Sequence, residues 1–237
     1  MFPYADGVTM GTMSRSSMLI RLGLLAGLAV VAVLVAVMVA SPAKDAAQKG
    51  GSPDAVVMAL KGIPQSGVTL GDPQAPVTIV EFADLQCPFC AEYARNALPT
   101  VIDKYVRTGK VQLQLRLLRF IGPDSDRLAR VAVAAAAQDR MWQFAELAFQ
   151  RQGTENSGYA TDAFINRLAA DAGLAKTDAG AAAEREVRQT EQAARTLGIN
   201  STPSFLVGPT GGPLKRFQPS DLTPGAFVPR IDKELHG

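Results

Sequence analysis

Histidine is nearly absent from this sequence: the 237 residues include one, His236, next to the C-terminus. That scarcity almost excludes a Ser-His or Cys-His catalytic triad and leaves no plausible set of four zinc ligands. Cysteine is almost as scarce, with only Cys87 and Cys90. A disulfide-stapled fold would use more cysteines at wider spacings. A bridge across two intervening residues closes too short a loop to constrain an unfolded chain much. Charge of one sign is also lacking: 24 Lys and Arg face 22 Asp and Glu, a formal excess of +2. Nucleic-acid binding usually needs a clustered basic face, so no nucleic-acid partner is expected.

One long apolar run is present, from Leu22 to Ala40. It is close to the ~20 residues that span a bilayer as a helix and longer than the usual ~7–15-residue core of a cleaved signal. Arg15 and Arg21 precede it, and Lys44 and Lys49 follow. Residues 1–43 are therefore read as a tail with a transmembrane anchor or signal segment. Ser41-Pro42-Ala43 keeps cleavage, and a soluble exported product, open. Residues 44–66 read as a linker, with a folded domain over 67–237.

Within that domain, Val68–Leu70 reads as a short edge strand and Gly71-Asp72-Pro73 as a turn. Val77 to Phe82 is rich in β-branched residues and reads as a buried strand. A helix is expected from Pro88 to about Arg107, kinked at Pro99. Val111, Leu113, Leu115 and Leu117 alternate with polar residues, the pattern of a half-buried strand. Residues 124–197 read as helical, with Thr161 and Asp178 as N-caps and Trp142, Phe144 and Phe149 as core. Ser204–Val207, a turn over Gly208–Pro213 and Leu214–Phe217 read as a hairpin, and Pro224 opens a last helix. The fold class is α/β: a β-α-β half, a helical insertion, then β-β-α.

Cys87-Pro88-Phe89-Cys90 falls at a strand-to-helix junction, with Pro88 at the first helical position. The unpaired N–H groups of a helix N-terminus stabilise an anion. A thiolate at Cys87 is favoured there and its pKa lowered. Cys90 lies one turn deeper on the same helical face. It is placed to resolve a mixed disulfide or receive its proton. Two acids are candidate proton shuttles: Asp84, which could equally be an exposed turn residue, and Glu81, a lone acid inside an apolar strand.

Ala75-Pro76-Val77-Thr78-Ile79-Val80-Glu81-Phe82, followed by Asp84-Leu85-Gln86-Cys87-Pro88-Phe89-Cys90, closely resembles DsbA-like proteins of the thioredoxin superfamily. The helical insertion and the later Thr202-Pro203-Ser204-Phe205 match as well. The resemblance implies a thioredoxin fold with an inserted helical subdomain. It implies dithiol–disulfide exchange with exported proteins that carry free thiols, reoxidation by a membrane quinone-linked thiol oxidase, and no metal or organic cofactor beyond the Cys87–Cys90 disulfide. By motif, Cys87 is the exposed nucleophile and Cys90 the buried resolving thiol. Pro203 is the family's cis-proline, with Thr202 docking an extended substrate. Pro88 and Phe89 tune the potential. Phe89 replaces the histidine of the best-known pattern; it cannot donate to a thiolate, and its ring could shield the sulfur from water.

The expected activity is a disulfide oxidase whose catalytic domain lies outside the cytoplasm, tethered by its N-terminal segment and acting as a monomer. A reductase or isomerase on the same fold, for example in cytochrome maturation, is one alternative. The other is a non-enzymatic anchored binding or chaperone module.

Overall fold

The computed structural model describes residues 52–178 and 180–237. The Leu22–Ala40 segment lies outside the described residues, as does the first part of the expected linker. Among the described residues no helix is long and apolar enough to cross a membrane.

The sheet is built around β3 (Val77–Ala83), in which every residue is buried. β3 pairs in parallel with β4 (Val111–Leu117), Val77 opposite Val111 and Ala83 opposite Leu117. On its other side it pairs antiparallel with β5 (Ser204–Pro209), Phe82 opposite Ser204. A hairpin of β1 (Gln65–Ser66) and β2 (Thr69–Leu70) extends the β4 side, and β6 (Lys215–Phe217) the β5 side, giving the order β1-β2-β4-β3-β5-β6. β2 is thus not the edge; β1 shields it. Gly71, after β2, has φ of +113°, and a Cβ there would come within 2.9 Å of the Val111 carbonyl oxygen. Only glycine lets the turn approach β4 so closely.

Period-two alternation divides β3 between two cores. Val77, Ile79 and Ala83 belong to the main core, whereas Val80 and Phe82 pack with Leu118, Ala194, Ile199 and Leu206 on the other face. Glu81 falls in register with the main-core set. β4 is more buried than simple alternation predicts. Gln112 is enclosed because its Nε2 donates to Thr78 Oγ1 at 3.1 Å and Thr210 Oγ1 at 3.3 Å.

The parallel pair requires a crossover. It starts as α2 (Pro88–Asn96), continues as the short α3 (Leu98–Val101) and closes in a π-helical turn (Ile102–Val106) before Gly109. Pro99 cannot donate a backbone hydrogen bond, and the helix divides just before it. Between β4 and β5 lie α4 (Pro123–Ala136), α5 (Met141–Gln150), α6 (Asp162–Asp171) and α7 (Gly180–Thr196). Thr161 caps α6 by accepting from Phe164 N at 3.2 Å. Asp178 Oδ1 accepts from Gly180 N at 3.0 Å. The last helix, α8, runs from Pro224 to His236. Trp142, Phe144 and Phe149 are core residues, and Trp142 Nε1 donates to the Val68 carbonyl at 3.1 Å.

The linker expectation needs correction. Pro53–Leu60 forms a helix, α1, capped by the Ser52 side chain accepting from Ala55 N. Val56, Leu60 and Ile63 are buried in the main core. Arg107 closes its C-terminal end, donating to the carbonyls of Ala59 (2.6 Å) and Lys61 (3.0 Å). An isolated eight-residue helix is marginal in water. This one is held by tertiary contacts, which a local reading misses.

Candidate active site

The strand-to-helix junction delivers both cysteines. Cys87 is the N-cap of α2 in extended conformation (φ −71°, ψ 119°), Pro88 occupies the first turn, and Cys90 follows inside the helix. Both are free thiols. Cys87 is 4 % exposed and Cys90 fully buried, so the expected exposed nucleophile is in fact covered. The cover is the loop before β5: the Cys87 thiol donates to the Thr202 carbonyl at 3.2 Å. The Thr202-Pro203 bond is cis. From the other side, Gln152 Nε2 donates to the carbonyls of Leu85 (2.9 Å) and Cys87 (3.1 Å), fixing the approach to the helix.

The two thiols are driven apart in acidity. The hydrogen bond from the Cys90 thiol does most to lower Cys87, to about 6, against the opposing cost of burial. The Thr202 side chain and the N–H groups of Cys90 and Phe89 add to the lowering. Cys90 is pushed well up, first by burial and then by the same bond to Cys87 and the nearby negative groups Glu81 and Cys87. At neutral pH the pair therefore holds one thiolate and one thiol, the asymmetry disulfide exchange needs: the thiolate attacks and leaves well. Phe89 contributes only its backbone N–H. Phe89 itself is 61 % exposed.

The two acids separate clearly. Asp84 is fully buried. Its Oδ1 accepts from Gln86 N (2.8 Å) and Ser125 Oγ (2.6 Å), and its Oδ2 from Phe120 N (2.8 Å) and Ile121 N (3.1 Å). This carboxylate ties the end of β3 to the start of α4. It is buried, not the exposed turn residue that the sequence equally allowed. Glu81 is also buried, and its Oε1 has no hydrogen-bond partner. Its pKa is raised well above the usual carboxylate range by burial, then by the negative charges of Glu146 and Cys87.

Several contributors escaped the sequence reading. Gln86 Nε2 donates to Ser125 Oγ at 2.9 Å and its Oε1 accepts from Asn156 N at 2.7 Å, extending the Asp84 network. Gln152 and Glu146 come from the helical insertion. Only Glu146 left a signal, as the lone acid in the apolar run Met141–Phe149.

Beside the thiols opens a groove of about 380 Å³, whose lining includes Phe89, Glu92, Thr202, Pro203, Phe205 and Leu222. Among the described residues no group of three or more His, Cys, Asp or Glu could hold a metal ion.

A family model described as thioredoxin matches residues 64–211. A probable disulfide bond formation protein D of Bacillus anthracis is 29% identical over 205 residues, covering 82% of this chain and 90% of that protein. The disulfide bond formation protein D of Bacillus subtilis is 32% identical over 113 residues, 46% of this chain and 49% of that one. Among solved structures, oxidised BdbD from Bacillus subtilis aligns with a TM-score of 0.61 at 23% identity, over 79% of this chain and 98% of its own. Wolbachia pipientis alpha-DsbA1 aligns with a TM-score of 0.60 at 25% identity, over 71% and 90%. With its acidity-split thiol pair at the head of α2, the chain belongs to the thioredoxin family and is a DsbA-like thiol–disulfide oxidoreductase.

Proposed function

We propose that this protein is an oxidase that transfers its Cys87–Cys90 disulfide to exported proteins carrying free thiols. A substrate thiolate attacks Cys87 Sγ. The Cys87–Cys90 bond breaks, a substrate–Cys87 disulfide forms, and the electron pair leaves on Cys90, which takes up a proton. A second substrate thiolate then attacks its own sulfur in the mixed disulfide and expels Cys87 as thiolate. The substrate gains a disulfide and the enzyme becomes a dithiol. A membrane quinone-linked thiol oxidase would accept the two electrons and restore the disulfide, so no metal or organic cofactor is needed.

The observation that carries this reading is the split between Cys87, lowered to about 6, and the buried Cys90. A low-pKa thiolate is a good leaving group, and its stabilisation makes the disulfide more oxidising. Thr202 and Pro203 would dock an extended substrate segment beside Cys87, in the adjoining groove. Glu81, facing the main core, would be the proton donor to Cys90. Cys90→Ala should trap mixed disulfides, because the resolving attack is lost; accumulation on Cys87→Ala instead would reverse the roles. Refolding of a reduced, disulfide-dependent protein beside an insulin-reduction assay separates oxidase from reductase, isomerase and inert binding module.

The domain would act as a monomer outside the cytoplasm, tethered by Leu22–Ala40. The support is that run's length and apolarity and the disulfide-forming names of the bacterial relatives. Fractionation of cells expressing a C-terminally tagged chain tests it: membrane recovery is expected, and a soluble extracytoplasmic form beginning near Lys44 would mean cleavage instead.

A further inference from the structure

Charge of one sign only lines the groove of about 380 Å³ beside the thiols: Glu92 and Asp221 contribute to it, and no Lys, Arg or His does. Glu92 comes from α2. It stands three residues after Phe89, hence on the same helical face, while Cys90, Ala91, Tyr93 and Ala94 are buried. Asp221 lies in the loop between β6 and α8. Its Oδ1 accepts from Thr223 N at 2.8 Å and from the Thr223 hydroxyl, and its Oδ2 from the Ser220 hydroxyl at 3.3 Å. These bonds fix the loop. They also hold the Asp221 carboxyl below the usual carboxylate range, the Thr223 hydroxyl most of all.

Among the described residues neither acid takes part in an ion pair. Cations on the surrounding elements are engaged elsewhere. Arg95 on α2 donates to the Phe149 carbonyl at 2.9 Å. Arg216 on β6 donates to the carbonyls of Leu197 (2.8 Å) and Gly198 (3.0 Å). Arg230 on α8 pairs with Glu234 at 2.8 Å. The rest of the groove lining includes the apolar Phe89, Pro203, Pro219 and Leu222. A lysine or arginine side chain suits such a surface, because its aliphatic stem packs on apolar groups while its charged head reaches a carboxylate. The exposed ring of Phe89 adds a face that attracts a cation. An acidic side chain would meet two like charges and no counter-ion.

We propose that this groove selects substrate segments carrying lysine or arginine near the reacting cysteine, with Glu92 and Asp221 as the residues that set the preference. This rests on the exchange reading given above and adds the class of substrate. Thr202 and Pro203 line the same groove, and the Thr202 carbonyl accepts from the Cys87 thiol. A segment whose cysteine reaches Cys87 along Thr202 therefore lays its neighbouring side chains in the groove. The formal charge of the whole chain is +2, so the overall field slightly favours an anionic substrate. Preference for a cationic one has to come from the groove itself.

The test uses the oxidised full chain and two blocked peptides, each with one central cysteine flanked by lysines or by glutamates. The rate of opening of the Cys87–Cys90 disulfide is followed by rapid acid quench at low salt. A nearby cation raises the thiolate fraction of the peptide itself, so each rate is normalised to the peptide thiolate present. One exposed ion pair is worth up to about 5-fold. With attraction for one peptide and repulsion for the other, the lysine peptide should react about 10-fold faster. In 1 M salt, where screening acts within ~3 Å, the ratio should fall below about 2. Glu92→Gln with Asp221→Asn should bring it to about 1 at low salt. If that double variant does not fold, Glu92→Gln alone decides, with a ratio of about 3 expected. A wild-type ratio near 1, or a tenfold ratio that survives the substitutions or the salt, overturns the groove as selector and leaves the exchange reading intact. A wild-type disulfide that neither peptide opens overturns the exchange reading itself.

Discussion

Substituting Phe89→His addresses the poise of the redox pair, and the geometry sets the wild-type starting point. With a pKa of about 6, Cys87 ionisation stabilises the reduced protein at pH 7 by about 1.4 kcal/mol relative to a thiol that stays neutral. The same arithmetic gives about 0.4 kcal/mol for the ~7 of thioredoxin and about 4.8 kcal/mol for the ~3.5 of DsbA. For this two-electron couple 1.4 kcal/mol corresponds to ~30 mV. The protein should therefore lie about 20 mV above thioredoxin and about 75 mV below DsbA, in the range of roughly −250 to −195 mV. A histidine at 89 adds a donor where the present side chain is exposed and offers none. It should lower the Cys87 pKa and raise the potential by up to ~30 mV for each unit of pKa. The sign with pH follows from the same shift. A depressed pKa stabilises the reduced fold fully above the free-thiol value of ~8.5, and this is lost as pH falls through about 6. Equilibration against a glutathione buffer followed by thiol alkylation gives the potential. A wild-type value at or above ~−120 mV would mean that the contacts from Cys90, Thr202 and the α2 N-terminus are not what sets the poise.

Two further outcomes concern the scaffold. Asp84→Ala leaves four donors without their acceptor and should cost about 3–5 kcal/mol, read from urea unfolding; a loss under about 1 kcal/mol would show the hub to be dispensable. Leu60→Ala, in the helix that reads locally as linker, should cost about 2–5 kcal/mol, and no measurable change would mean that α1 is not part of the folded unit.

Much of the site was legible because its signals are local. The β-branched run Val77–Phe82, Pro88 at a first helical turn and the spacing of Cys87 and Cys90 need only short-range rules. So does Thr161 as a cap. What stayed hidden depends on distant partners. The cover over Cys87 comes from Thr202, 115 positions away. The role of Asp84 is decided by donors at Ser125, Phe120 and Ile121. α1 reads as a linker because its burial is supplied by helices far along the chain.

The central claim is that Cys87 is the attacking thiolate and Cys90 its buried partner. Alkylation of the reduced native protein with iodoacetamide across pH 4 to 9, with each cysteine counted by peptide mass, tests it most directly. Cys87 should be modified first, with a midpoint near 6, while Cys90 stays protected until the protein unfolds. Prior modification of Cys90, or a Cys87 midpoint near the free-thiol value of ~8.5, would contradict the account.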